Sequence, residues 1–441
     1  MNGSENISSC LLLAQHMREK GYRVVLAIDR TSQQLTASSG LPEEVYNADY
    51  PTINPKLANL NLLDGEPIDK LKNFCYKNIV DVFDFVKHCE PYNQELIERL
   101  KPDLIIIESM ICSPALTSSD IPWVWLNFGP PNQCRNDDRI PPGWSGLSKT
   151  KPNDWRIFKT KRNELFANLK WQMNHWCTSM GAPELPDNQF HPHSPYLNLY
   201  VYPTELDYQT LSNTWEMKTW MQINCLIEAK PLNKFKIPPN FGSRPGKLIY
   251  ISMGPYASVD VMKRLTKQLS ETPHKYVVSK GPLHDQYDLP DNMWGAEDVP
   301  LEDVLLNMDL IICSGDTKMV SKCFFYGKPL IILPLFGEQL DNRNRFKELG
   351  FGWGLDPFTC NKETLFGMIN NTVDDPLLPR RLNLASNVMQ TAESCKQITD
   401  RIAKILNKTV DEEEKVVEPP LVRVWEDPQP ICAPLVGGTE A

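Results

Sequence analysis

The 441-residue sequence has no stretch approaching the roughly 18–20 consecutive apolar residues that a membrane-spanning helix needs, which argues against a membrane anchor. Its opening, MNGSENISSCLLLAQHMREKG, has no basic start ahead of the apolar run, and Ser, Gln and His interrupt that run. It is an amphipathic helix rather than a secretion signal, and the expected location is cytoplasmic. The twelve cysteines, scattered from Cys10 to Cys432, form no CxxC pair and no Cys/His cluster. Neither a zinc site nor a disulfide framework is expected, only reduced and mostly buried thiols. Without a secretory route the sequon-like stretches at Asn370 and Asn407 carry no weight. Positive charge is not in excess either: a net charge of -9 and a pI near 5.4 exclude a general nucleic-acid binder. No internal repeat is evident.

What is present is globular. Apolar residues make up 41% and charged residues 23%, enough for a buried core. The length predicts two or three domains at roughly 100–200 residues each, and two is the economical number. The first half alternates helix and strand: a helix from about Ile7 to Lys20 ended by Gly21, then YRVVLAI ending at Ile28, DLIII over 103–107 and PWVWLNF over 122–128. Such apolar runs between helical patterns predict a parallel sheet covered on both faces. Eight of the eleven tryptophans fall between Trp123 and Trp220. They either wall an apolar pocket or fill the core of a second helical layer.

The first domain is assigned to residues 1–230 and the linker to 231–246, PLNKFKIPPNFGSRPG, where proline, glycine and basic residues replace any apolar period. A second α/β series follows over 247–390: KLIYISMG, a helix near 258–270, KYVVSKG, DLIICSG, a helix, and PLIILPL. A final helix is expected over 391–408, and a charged, proline-rich tail without structure over 409–441.

Ligands of doubly wound sheets sit beyond the C-terminal strand ends. Three loops of the second domain qualify: Ser252-Met253-Gly254-Pro255, Ser314-Gly315-Asp316 and Gly337-Glu338-Gln339. A helix opening at 314–318 offers unpaired backbone N–H groups and partial positive charge, suited to phosphate. Glu338 and Gln339 offer acceptors to vicinal hydroxyls. The residues point to a nucleotide or nucleotide-sugar site.

VPLEDVLLNMDLIICSG followed by FFYGKPLIILPLFGEQLDNRNR resembles the donor-binding signature of UDP-glycosyltransferases, in particular the soluble bacterial-like and arthropod kind. The resemblance runs from SENISSCLLLAQHMREKGYRVV through KPDLIIIES and IPWVWLNFGPP to the final helix. It implies an α/β chain of two facing Rossmann-like domains, acceptor in the first and UDP-sugar in the second, with inversion at the sugar carbon. It implies no metal and no cofactor beyond the UDP-sugar co-substrate, and a partner that is a small lipophilic acceptor with a hydroxyl. A doubly wound domain of this family opens with an apolar strand, whereas Met1-Asn2-Gly3-Ser4 already corresponds to the first loop, so that strand is expected to be missing.

Carried over position by position, the resemblance retains Ser252, Gly254, Pro300, Gly315, Glu338 and Gln339 as donor-site residues. The base position, a histidine in the family, is Asn6, and its acidic partner is Glu108. Asparagine cannot take a proton near neutral pH. Glu108 either serves as a base, if burial raises its pKa, or caps a neighbouring helix. In the donor loop His-Gly-Gly becomes Ser314-Gly315-Asp316, the ribose-binding glutamate becomes Lys322, and Lys318 and Met319 replace Asn and Ser/Thr. Leu301 stands for the glutamine after Pro300, and Pro255 for the serine after Gly254. Lys318 and Lys322, four apart on one helical face, either neutralise a diphosphate or form a solvated face. None of the seven histidines lies in a signature loop, though His191 and His193 offer an approach from the acceptor side. The expected function is hexose transfer from a UDP-sugar to a lipophilic hydroxyl, catalytically impaired. The alternative is a non-catalytic binding module for an apolar molecule on the same scaffold.

Overall fold

The computed structural model describes residues 4–46, 60–135, 137–208, 216–227, 236, 241, 245–299 and 301–407. Counting strands and the longer helices, the first half runs α1 (Ser4–Glu19), β1 (Leu26–Asp29), β2 (Glu43–Tyr46), α2 (Tyr76–Leu100), β3 (Ile105–Ile107), β4 (Trp123–Phe128), α3 (Pro152–Ser179), β5 (Leu197–Val201) and β6 (Trp220–Ile223). The second half runs β7 (Leu248–Ser252), α4 (Val259–Leu269), β8 (Lys275–Ser279), β9 (Met293–Ala296), β10 (Leu310–Cys313), α5 (Thr317–Phe325), β11 (Leu330–Ile332), α6 (Glu338–Leu349), β12 (Gly352–Gly354), α7 (Lys362–Val373), α8 (Leu378–Gln390) and α9 (Ser394–Leu406).

The second sheet is fully parallel in the order β12-β11-β10-β7-β8-β9. Its central strands β10 and β11 are unbroken apolar runs because both faces are covered; every residue of both is buried. Chain order reverses direction between β7 and β10, so the crevice of a doubly wound sheet opens there.

The first sheet is described in two pieces, β1-β2 and β3-β4-β5-β6, each parallel. A doubly wound order would place one more strand between β1 and β3. Among the described residues none pairs there, and β1 is half-buried to exposed where the middle strands β4 and β5 are mostly buried. Both flanking strands are shorter than their apolar runs suggest. Trp123, Trp125, Trp155 and Trp220 are buried in the core, while Trp171 on α3 is 65% exposed.

Helix α9 does not stay with the second sheet. Ile398, Ile402 and Ile405 pack with Leu13, Val124, Leu126 and Leu197, closing the outer face of the first. Most of the linker assigned to 231–246, and the whole tail at 409–441, lie outside the described residues.

Besides shared apolar clusters, the two halves are joined by polar contacts of α6, whose sequence EQLDNRNRFKEL looks solvent-facing. It is not: Asp341, Asn342 and Arg345 are buried. Asp341 Oδ2 accepts the Trp144 N–H at 2.6 Å and Oδ1 the Gly146 N–H at 2.8 Å. Asn344 donates to the Leu147 carbonyl at 3.1 Å, and Glu348 accepts Ser148 Oγ at 2.7 Å and the Lys149 N–H at 2.9 Å. Arg345 donates to the Leu206 and Asp207 carbonyls at 2.8 and 2.9 Å, its guanidinium 4.5 Å from the Tyr208 ring centre. Each residue satisfies backbone groups of the other half that would be costly to bury alone.

Candidate functional site

The crevice between β7 and β10 is formed by the loops that close both strands. Ser252 ends β7 and Gly254 follows with φ +72°; a Cβ on Gly254 would lie 3.7 Å from Ser314 Oγ, so the two loops meet. Ser314 is almost wholly buried. Gly315 has φ +88°, and a side chain there would come within 2.3 Å of Ile332 Cγ2, so only glycine fits. Thus Ser252, Gly254, Ser314 and Gly315 converge as expected. Pro300 lies outside the described residues.

Asp316 caps α5, its carboxylate accepting the Met319 N–H at 2.9 Å. The helix start expected to cradle phosphate therefore already holds an anion. Burial raises the pKa of this carboxyl, while the Met319 N–H and the charges of Lys318 and Lys322 pull it down. The two lysines are half-buried rather than forming a solvated face, and their field acts on Asp316.

The third loop changes the expectation for Gln339. Gly337, at φ +59°, starts α6, and Gln339 folds back so that its Oε1 accepts the Leu335 N–H at 2.8 Å and the Phe336 N–H at 3.3 Å. That oxygen is committed to its own turn, and Glu338 beside it is half-buried. Phe336 also meets Tyr256 of the first loop and Phe74 of the other half, with ring centres 5.3 and 4.5 Å apart. Phe74 reaches them from the π turn Leu71–Cys75, whose extra residue per turn resets the facing of the helix before α2.

Across the cleft, Asn6 in the first turns of α1 donates from Nδ2 to Glu108 Oε1 at 2.9 Å, just beyond β3. Glu108 therefore pairs with Asn6 rather than capping a helix. Water reaches the side chain, but enough protein surrounds it that burial raises its pKa, against the lowering pull of the Asn6 amide. His191 and His193 are held against the first sheet. Both stack on Trp125, at 4.7 and 6.1 Å between ring centres, and burial holds their pKa values down at about 4. Among the described residues no group of three or more His, Cys, Asp or Glu is placed to hold a metal ion, and no helix is long and apolar enough to cross a membrane.

No family model matches the chain. Over 412 residues it is 26% identical to the NDP-glycosyltransferase YjiC of Bacillus licheniformis, spanning 91% of this chain and 95% of that protein. Among solved structures, the glycotransferase of kitacinnamycin superposes with a TM-score of 0.65 at 15% identity, covering 90% of this chain and 95% of its own. The fold is the two-domain glycosyltransferase fold. The spinosyn rhamnosyltransferase SpnG, solved with thymidine diphosphate, shares it at a TM-score of 0.59 and 17% identity, over 91% of this chain and 97% of its own. The residues that sequence reasoning passed over are Phe74, Tyr202, Asp341 and Asn342. The last two lie inside LDNRNR, where charge density in an otherwise apolar neighbourhood was the available signal.

Proposed function

We propose that the protein binds a nucleoside diphosphate sugar between the β7 and β10 loops and transfers the sugar to a hydroxyl of a small lipophilic acceptor, with Glu108 as base. The observation that carries this reading is the hydrogen bond from Asn6 to Glu108. It reverses the roles in the expected pair: the amide orients, and the carboxylate, with its pKa raised, takes the proton. The acceptor oxygen gives its proton to Glu108 and attacks the anomeric carbon from the face opposite the diphosphate. The sugar–phosphate bond breaks with its electron pair leaving on the diphosphate, and configuration inverts. Lys318 and Lys322 beside the helix start favour that leaving charge. Similarity to an NDP-glycosyltransferase over nearly the whole chain supports the reaction class.

A second reading, a binding module that no longer turns over, is favoured by one feature: the Asp316 carboxylate seated at the start of α5. The test is nucleotide release from UDP-glucose and a dTDP-sugar with a panel of phenolic acceptors. Turnover is expected, falling by about 10²–10⁴ in Glu108→Gln. Only ionised Glu108 accepts a proton, so activity appears as pH rises through its raised pKa, and the acid limb lies above the ordinary 4.5. Nucleotide binding without turnover from folded protein would establish the second reading instead.

A further inference from the structure

We propose that Asn342 is a positioning residue for the donor loop, turning the Asp316 N–H toward the crevice, and that Tyr202 of the other half fixes Asn342 in the orientation that does so. The proposal rests on the nucleotide-binding reading above. Asn342 is fully buried and its Nδ2 donates to the Gly315 carbonyl at 2.9 Å and to Thr317 Oγ1 at 3.2 Å. Its Oδ1 accepts the Tyr202 hydroxyl at 2.9 Å, and Tyr202 is 1% exposed.

The peptide between Gly315 and Asp316 is planar and trans, so its C=O and N–H point in opposite directions. Holding the Gly315 carbonyl against α6 aims the Asp316 N–H the other way, to the side where the Asp316 carboxylate and the Met319 N–H lie. That N–H and the Met319 N–H are held by the Asp316 carboxylate, so an anionic oxygen of a nucleotide reaches these helix-start amides by displacing that carboxylate. Glycine at 315 makes this peptide easy to flip, and the Asn342 side-chain amide, donating to its carbonyl at 2.9 Å, selects the orientation. An amide can face either way. Because Tyr202 donates to its oxygen, its nitrogen faces Gly315; without that hydroxyl the oxygen can turn to oppose the Gly315 carbonyl. The link also ties the donor loop to the seating of the two halves, since Tyr202 belongs to the first sheet's β5 end and Asn342 to α6.

The experiment compares wild type with Tyr202→Phe and Asn342→Asp. Hydrogen–deuterium exchange without nucleotide is expected to speed up across 310–325 in Tyr202→Phe while 338–349 stays protected; unchanged exchange at 310–325 overturns the proposal. Calorimetry with UDP and with dTDP is expected to show roughly ten-fold weaker binding for Tyr202→Phe, with the donor KM rising and the acceptor KM unchanged. Equal affinity in wild type and Tyr202→Phe overturns it. Asn342→Asp, which puts an oxygen against the Gly315 carbonyl, is expected to weaken binding at least as much; retained affinity there overturns it too. If wild type binds neither nucleotide, the functional reading falls and the proposed role falls with it, whereas unchanged exchange with nucleotide bound removes the positioning role alone.

Discussion

Helix α6 and the loop that opens α5 are neighbours at the strand ends of one sheet, yet they do opposite work. In α6 the polar residues Asp341, Asn342, Asn344, Arg345 and Glu348 all bond the other half of the molecule. In the loop before α5, Ser314 is buried and Asp316 turns its carboxylate onto the Met319 N–H of its own helix. The first stretch is the one that matches the UDP-glycosyltransferase signature most fully, and the second departs from it. A strong match in LDNRNR therefore reports that two domains are bolted together, and says little about what the crevice holds. The motif that identifies the fold is separable from the residues that would bind the donor.

The largest effect should come from breaking the bolt. Asp341→Ala leaves the Trp144 and Gly146 N–H groups buried without acceptors, at about 1–3 kcal/mol each. Urea denaturation should show a loss of roughly 2–5 kcal/mol, and a loss below about 1 kcal/mol would mean that α6 is not what holds the halves.

Next is the one scaffold position within the donor loop. Gly315→Ala meets Ile332 Cγ2 at 2.3 Å in a backbone conformation that disfavours a side chain, which should cost about 2–3 kcal/mol. Adding Ile332→Ala should recover part of it; no recovery would point to the backbone conformation alone.

Asp316→Asn sharpens the contrast from the ligand side. Asparagine caps a helix about as well as aspartate, so thermal stability should change little, while removing the resident charge should raise nucleotide affinity about ten-fold, near 1.4 kcal/mol. Weaker binding in a calorimeter would show Asp316 to be a ligand-binding group rather than an occupant.

The last prediction concerns pH. Burial lifts the Asp341 carboxyl to about 7, despite the two N–H donors and Arg162. An unfolded aspartate titrates near ~3.9, so the folded state holds more protons between these values. Stability from this group is fully present below the unfolded pKa and is lost as pH rises toward 7. The wild-type melting temperature should carry this downward slope and Asp341→Asn should lack it; identical slopes would place the titration elsewhere.

Much of the architecture was legible in the sequence because it rests on local pattern. LIICSG, KYVVSKG and KLIYIS are strands for the reason their uninterrupted apolar character suggests, and Ser258 and Gly350 end their helices by capping chemistry that a few neighbouring residues decide. The crevice loops followed from strand order. Gln339 did not, because whether a side-chain oxygen serves a ligand or its own turn depends on backbone geometry a few residues away. The histidines near 191 show a related limit: nothing local foretells that both imidazoles lie on Trp125.

By itself, then, the sequence determined the two doubly wound units and the loops that meet at the crevice. Only tertiary structure decided that the Asn6 amide donates directly to Glu108 across 102 residues, that Asp341 grips Trp144 across 197, and that α9 returns to the first sheet. Secondary structure is set by periodicities that neighbours along the chain share. A buried polar group is instead satisfied by whatever backbone the completed fold brings within hydrogen-bond distance, and that partner has no fixed place in the chain.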